Sequence, residues 1–492
     1  MAYIQGENRD QLTLMPMCLD DCIGADNICR VIAAYVNSLD MATLGFKYAK
    51  TKDTGRPPHD PANMLMLYIY GYLNRIRSSR RLEAETKRNV EVMWLMEKVT
   101  PDDKTISNFR KDNAAALRKV FREFSLWCNR QGLYGKELVA VDSTKIRANN
   151  SRKNIHTQTG TEKELAMVEK KISEYIKLLD ENDIIEKNEV KLSAEAIRET
   201  LKRLGEKKET LSSWLNRIEE NGGNEISTVD SDAHIMHQHG DGRSFDACYN
   251  IQAVVDGKNK LIVDFEVTTC ASEQGALHKM TESAKEIMGV EKIAVTADKG
   301  YYDGKDILDC EEKGTTCYIP KITMPSHAPD KCYDKRYFKY DKENDCYICP
   351  SGARLDFAYL SRRSCQEGKM GYGIVERVYR NAEACRICAN RGKCTTNKRG
   401  VRTIYRIPNQ DILDIVNSRM LTDIGRQYLV ERRKIVEHPF GTTKKGWGFR
   451  DFQCRGIERV TGEQSLVFLA YNFRRAVNIL KENGKSMIMA LA

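Results

Sequence analysis

The chain has 492 residues and carries 79 Lys and Arg against 69 Asp and Glu, a net charge of +10. Hydrophobic residues make up 41% and charged residues 30%, a globular balance that excludes a mostly disordered chain. With 32 Gly, 11 Pro and no triplet repeat it is not collagen-like, and its length predicts roughly two to four domains.

The opening MAYIQGENRDQ lacks a basic stretch followed by an apolar run, so no export signal is read there. The most apolar stretch, residues 64–73, falls short of the ~20 residues that cross a bilayer, and a buried helix is expected instead. No membrane partner is expected. The 16 Cys are not spread as a secreted disulfide framework, which points to a reducing cytosol. Cys29, Cys128 and Cys270 read as small buried apolar residues. The excess of positive charge hints weakly at an anionic partner.

Residues 1–131 read as a helical domain. Leu65, Tyr68, Tyr72 and Ile76 recur at helical spacing, and Pro61 sits near a helix start. The segment RIRSSRRLEAETKRN is strongly basic and offers Arg77, Arg80 and Arg81 to an anion. Thr100-Pro101 breaks the chain, and one new helix is expected to carry Phe109, Leu117, Val120 and Phe124. Such an arrangement suits a helix-turn-helix and equally an ordinary bundle corner.

In KELVAVDSTKIRA an apolar strand is expected to end on Asp142. Residues 161–221 are charged, with apolar residues stepping by three and four. They predict an antiparallel helical hairpin inserted after that strand. CYNIQAVVD and KLIVDFEVT read as two strands joined at Gly257-Lys258, followed by a helix over 274–288. KIAVTADKGYYD gives a strand ending on Asp298. A helix over 304–313 and the strand TCYIP come next. This order fits an α/β fold with a mixed sheet flanked by helices, its core spanning 132–160 and 222–320. Residues 321–402 form a second, Cys-rich insertion. Residues 403–492 return as a basic helix over 411–434 and a last helix over 462–480.

Two carboxylates at the ends of central parallel strands would lie side by side at one sheet edge. Such hard oxygen ligands suit Mg²⁺ or Mn²⁺, and two such ions clamp the attacking and leaving oxygens of a phosphoryl displacement. A strand-end Asp is also a common turn or cap residue. A third carboxylate is offered by ERRKIVEHPFGTTKKGWGFR, where Glu437 stands among cations. Its alternative is a surface pair with Arg433, worth ~0.3–0.5 kcal/mol. The surrounding Arg433, Lys444, Lys445 and Arg450 suit an anionic polymer.

Four stretches together carry a resemblance. They are RPPHDPANMLMLYIYGYLNRIRSSRRLE with DDKTISNFRKDN, VDSTKIRAN, YNIQAVVD followed by TADKGY, and RRKIVEHPFGTTKKGWGFRDFQCRG with LAYNFRRA. In this order they resemble bacterial insertion-sequence transposases of the DDE class, most of all the insertion sequence 1182 family. The resemblance implies a ribonuclease-H-like core in which Asp142, Asp298 and Glu437 hold two Mg²⁺ or Mn²⁺ ions. It implies cleavage of phosphodiester bonds at terminal inverted repeats and transfer of the 3′-hydroxyl ends to target DNA. A homodimer on double-stranded DNA follows, since two ends must be joined. Arg433, Glu437 and Lys444 fall at the spacing of the related Tyr-Arg-Glu-Lys signature, while its Tyr position holds Val430, with Tyr428 nearby. Glu463 is the reserve third carboxylate.

The run CYICP followed by CRICANRGKC has the spacing of a tetrahedral Zn²⁺ site, or of a set of free thiols. Members resembling this chain carry a Tyr-x-Cys-Pro element, which selects Cys349, Cys385, Cys388 and Cys394 and leaves Cys346 as an extra. The role would be structural. His234, His237 and His239 read as a solvated Gly- and Asp-rich loop rather than a metal site, with Asp230 and Asp232 within reach of the active site. Trp447, Phe449 and Phe452 suit either base stacking or core packing. The rival functions are a non-catalytic zinc-containing DNA-binding protein and a nuclease on the same fold.

Overall fold

The computed structural model describes residues 18–50, 57–184, 194–220, 225–237, 245–321, 333, 335–362, 375–395 and 397–491. Its first helices are α1 (Ile28–Asn37), α2 (Met41–Leu44), α3 (Pro61–Leu73), α4 (Ser79–Arg88), α5 (Val90–Leu95), α6 (Asp103–Asp112) and α7 (Ala114–Arg130). Short polar side chains set their starts. Asn27, Asp40, Asp60, Asn89 and Asp102 each accept a first-turn N–H, a cap worth about 1 kcal/mol. The single helix expected after Thr100-Pro101 is two, α6 and α7, broken at Asn113. The Asn113 amide donates to the Phe109 carbonyl and accepts the Lys47 N–H, which holds the break.

Strand β1 (Leu138–Arg147) follows, then β2 (Ile155–Thr157), the long helices α8 (Gln158–Ile184) and α9 (Ala194–Glu220), and β3 (Glu225–Ser227). β2 and β3 pair antiparallel, so the helical hairpin stands on a two-stranded stem. Lys207 and Lys208 pair with Glu164 and Glu169 at 2.7 and 2.9 Å across it, and Trp214 stacks on His156 at 3.8 Å.

Next come β4 (His234–His237), β5 (Phe245–Asp256) and β6 (Ile262–Thr268). β5 is the spine of the sheet: β1 pairs antiparallel along one edge, and β4 and β6 share the other. β1 does not end on Asp142. Its ladder runs on from Val139↔Asp256 to Arg147↔Cys248, because β-branched Thr144 and Ile146 continue the strand beyond the carboxylate. The His-bearing loop is also a strand in part, as β4.

The rest of the chain forms α10 (Leu277–Met288), β7 (Ile293–Ala297), α11 (Gly304–Glu312) and β8 (Thr315–Tyr318). It continues with β9 (Lys339–Asp341), β10 (Cys346–Ile348), β11 (Arg354–Arg362), β12 (Val375–Arg380), α12 (Ala382–Arg386) and β13 (Thr403–Arg406). The last helices are α13 (Gln410–Arg419), α14 (Asp423–Phe440), α15 (Ile457–Glu482) and α16 (Met487–Leu491). The basic helix expected over 411–434 is thus divided between α13 and α14.

Two compact units result: residues 1–273, 282–290 and 433–492, and residues 274–281 and 291–432. The division falls inside the stretch expected as one core, and the chain returns to the first unit within α14.

In the first unit α15 is the central helix, buried along most of its length. Phe473 packs against Tyr35 and Phe124, and Phe468 meets Phe265 edge-on at 5.1 Å. Buried Asn472 brackets Ile262, accepting its N–H and donating to its carbonyl, which satisfies the β6 backbone. Gly462 lets α15 approach α7: a Cβ there would lie 2.7 Å from the Ala114 Cα.

In the second unit β7 and β8 run parallel with α11 between them. β9 to β13 form a separate antiparallel sheet, ordered β13-β12-β11-β10-β9. One face of that sheet buries Phe338, Tyr347, Leu355, Tyr379 and Ile404. Among the described residues no helix is long and apolar enough to cross a membrane.

Candidate active site and cysteine cluster

Asp142 and Glu437 belong to the first unit and Asp298 to the second. Asp142 sits midway along β1, opposite Ala253 of β5, and its Oδ1 accepts the Ser143 N–H at 2.8 Å. Val139, Ala140 and Val141 before it are fully buried, whereas residues 142–145 are partly open. The strand therefore passes from core to surface at the carboxylate. Side chains alternate along a strand, so Asp142 shares a face with Thr144.

A second element is laid against that stretch. Pro439, which has no N–H to donate, stands at the end of α14, and residues 441–446 wind into a π-helical turn. Thr442 and Thr443 return their hydroxyls to the carbonyls of His438 and Pro439 at 2.6 and 2.8 Å. Lys444 then reaches β1, where its Nζ donates to Thr144 Oγ1 and the Lys145 carbonyl, both at 2.9 Å. The ammonium is thus fixed about two residues, ~6–7 Å, along the strand from Asp142. Burial pushes the Lys444 ammonium below its usual range. The following residues add to the end of β1: the Phe452 N–H meets the Arg147 carbonyl at 2.9 Å, and the Arg147 N–H meets that of Arg450 at 3.1 Å.

Glu437 is exposed on α14, just after buried Ile435 and Val436. Among the described residues no ion pair joins it to exposed Arg433, so a mere surface pair does not account for it. Lys445 and Arg450 are exposed as well. Asp298 follows β7 directly and caps a short turn, accepting the Gly300 N–H at 2.8 Å.

Glu463 is not a spare ligand. It is 0% exposed, and its Oε2 accepts the N–H groups of Gln453 and Cys454 at 2.9 Å each. Its Oε1 faces the Tyr72 hydroxyl at 3.4 Å and Arg110 at 3.8 Å. This carboxylate ties the loop before α15 to the N-terminal helices. Asp230 and Asp232 likewise serve α15 rather than the active site. Asp230 accepts from Tyr249 and the Gly456 N–H, and Asp232 accepts the Ile457 N–H at 2.8 Å, capping the helix.

Of the N-terminal arginines, Arg80 and Arg81 are exposed, Arg80 standing 3.4 Å from Asp103. Arg77 is engaged inside the unit. It donates to the Asp451 carbonyl at 2.7 Å and lies 4.9 Å from the Phe449 ring. Phe449 and Phe452 are core residues, each 2% exposed, and Arg474 lies over Trp447. In the second unit Tyr428 packs edge-on against Tyr318 at 4.8 Å, while Val430 is 58% exposed.

Sequence reading missed one carboxylate held by the residue after Asp142. Ser143 Oγ donates to Glu273 at 2.5 Å on the opposite face of β1. The loop residues around Glu273 carry no pattern that marks it. Of the lone cysteines, Cys29 and Cys128 are buried as expected but Cys270 is exposed, in the loop after β6.

In the second unit Cys349, Cys385, Cys388 and Cys394 line one cavity of about 30 Å³, room for a single ion or water. Cys346 is buried in β10 and does not line it. A turn through Gly352, at φ +79°, aims the Ala353 N–H at the Cys349 Sγ, 3.3 Å away. Burial pushes the Cys394 thiol up; Arg402 opposes this, and the Cys385, Cys349 and Cys388 thiols add to it. Among the described residues no group of three or more His, Cys, Asp or Glu is drawn together closely enough to hold a metal. His234 pairs with Glu225 at 2.9 Å, which with burial opposing raises its pKa, and His237 meets Phe245 edge-on. His239 lies outside the described residues.

Residues 17–112 match a family described as a transposase domain (DUF772), and residues 348–477 match one described as a transposase DDE domain. The second match includes Glu437 and all four cavity cysteines. No curated protein matches the chain. A solved structure of the piggyBac transposase synaptic complex with hairpin DNA aligns at 7% identity over 94% of this chain and 78% of that one. Its TM-score of 0.34 is too low to bear on the fold.

Proposed function

We propose that this chain, which carries the domains of an insertion-sequence DDE transposase, cuts its element's ends and joins them to target DNA. The observation that carries the reading is the Lys444 contact. Within one unit it lays the segment bearing Glu437 against the strand bearing Asp142. In this reading the chain belongs to the insertion sequence 1182 group, and the sheet around β5 is the ribonuclease-H-like core.

Asp142, Asp298 and Glu437 supply hard carboxylate oxygens, the donor set that Mg²⁺ or Mn²⁺ prefers. Divalent ions at such a site supply charge neutralisation and a more acidic attacking water or hydroxyl. The chain's own cations do the rest. Lys444, held rigidly on β1, offers a fixed positive charge to a phosphate oxygen near Asp142. Such a preorganised charge favours the transition state because it needs no reorganisation as negative charge develops. Exposed Arg433, Lys445 and Arg450 hold flanking phosphates, and Arg80 and Arg81 hold the terminal inverted repeat. Arg77 acts through the protein, pinning the segment that follows Lys444. A homodimer brings two ends together.

Cys349, Cys385, Cys388 and Cys394 are proposed to hold a structural Zn²⁺. The shared lining of one cavity by all four cysteines and the N–H aimed at the Cys349 sulfur support this, since thiolates gain from such donors.

The test is a strand-transfer assay on labelled DNA that flanks the chain's own coding sequence, with Mg²⁺ or Mn²⁺. Wild type is expected to nick at the element end and join that end to a plasmid. Asp142→Ala, Asp298→Ala and Glu437→Ala are expected to bind the end but lose both steps. Nicking without joining would make it a nuclease. Binding without nicking would make it a DNA-binding protein only.

A further inference from the structure

The antiparallel sheet of the second unit uses one face for its core and leaves aromatic rings on the other. Register places Tyr359 of β11 beside Val378 of β12, and Val378 beside Tyr405 of β13. The three residues form a row across three strands. Val378 is 0% exposed, yet Tyr359 is 43% and Tyr405 45% exposed. An irregularity between Phe357 and Tyr359 takes Tyr359 out of the face where Phe357 lies opposite Tyr379. Bulges commonly re-aim a side chain in this way. Without it, Tyr359 would point to the core face of the sheet.

A cation stands beside the exposed rings. On this face Arg354 pairs with Asp356 at 2.6 Å and Arg380 is exposed, whereas Arg377 lies on the Tyr379 side of the sheet and pairs with Asp345. Register places Arg380 opposite Asp356, whose carboxylate pairs with Arg354, and among the described residues no ion pair engages Arg380. Its guanidinium lies 5.2 Å from the Tyr359 ring centre. One side of that ring is therefore covered by a cation while much of the rest faces solvent.

We propose that Tyr359, Tyr405 and Arg380 form a stacking platform for an unpaired DNA strand. The two rings lie on strands separated by β12, ~9–10 Å from each other. Bases have π faces of any sequence to lay on such rings, and the arginine serves a phosphate. A duplex, with its bases already stacked, gains nothing from the rings. The inference rests on the reading that the chain handles DNA, and it names where a separated strand is held.

The test uses the full chain without divalent metal and follows fluorescence anisotropy of a labelled oligothymidylate and of a duplex of unrelated sequence. Tyr359→Ala and Tyr405→Ala are each expected to weaken single-strand binding about tenfold, with duplex binding changed less than about twofold. Tyr359→Phe and Tyr405→Phe keep the ring and are expected to bind as wild type, which separates stacking from loss of fold. Arg380→Gln is expected to weaken single-strand binding and flatten its salt dependence. The platform is overturned if the double alanine variant binds the single strand as wild type does. Equal loss of duplex binding, or a Phe variant as weak as its Ala counterpart, would also overturn it. The strand-transfer assay reports separately on the transposase reading: a chain that joins ends yet ignores these tyrosines refutes the platform alone.

Discussion

At the scale of single residues, the same carboxylate chemistry serves opposite ends, and burial separates them. Glu437 and Glu463 both begin or follow basic, helix-forming stretches and read alike in the sequence. The structure leaves Glu437 in solvent and seals Glu463 among Tyr72, Arg110 and two backbone N–H groups. Removing one member of a buried charged set leaves the others uncompensated, at a cost of about 3–5 kcal/mol. Glu463→Ala is therefore expected to lower unfolding stability by that amount in urea titrations, whereas Glu437→Ala is expected to change it by less than about 0.5 kcal/mol. Equal effects would show that the two side chains are not distinguished by burial. The sequence could not reveal this difference, because the side-chain partners of Glu463, Tyr72 and Arg110, belong to the distant N-terminal helices. Asp230 and Asp232 were illegible for the same reason: their partners are the first N–H groups of α15.

At the scale of elements, local chemistry was a better guide. Apolar periodicity found the helical hairpin, β5, β6 and α15, and Pro61 marked the start of α3. What periodicity missed were interruptions set by single side chains, as at Asn113, and a strand that outlasts its apolar run, as β1 does beyond Asp142. The π-helical turn that delivers Lys444 is held by Thr442 and Thr443 bonds to the preceding carbonyls, which no apolar periodicity marks. The cysteine spacing is visible in the sequence because both halves of the cluster are local, and the four residues line one cavity without any three of them being close enough to hold a metal. Metal held there would tie β10 to α12 and the turn before β13, a segment with a modest core of its own. Purified protein is expected to contain one equivalent of zinc by elemental analysis. Chelation, or Cys388→Ser, is expected to lower the melting temperature and expose the segment to protease. A metal-free protein with the same melting temperature as a zinc-supplemented one would show that the four cysteines are free thiols.

At the scale of the whole molecule, the proposed function draws on three carboxylates, two in the first unit and one in the second. Asp142 and Glu437 are linked through β1, Lys444 and α14 inside the first unit, while Asp298 follows β7 in the second. The motif order along the chain is what proposes this trio, and no sequence pattern places the three carboxylates in space. The central proposal is that each of these carboxylates binds divalent metal. The most direct measurement replaces that metal with Fe²⁺ and, with ascorbate and peroxide, maps where the polypeptide backbone is cut by bound iron. The account predicts cuts near 142, near 298 and near 437 in the wild-type chain, all competed by Mg²⁺, with the cut near 142 lost in Asp142→Ala. Cuts confined to one of the three positions, or a pattern that survives Asp142→Ala unchanged, would contradict it.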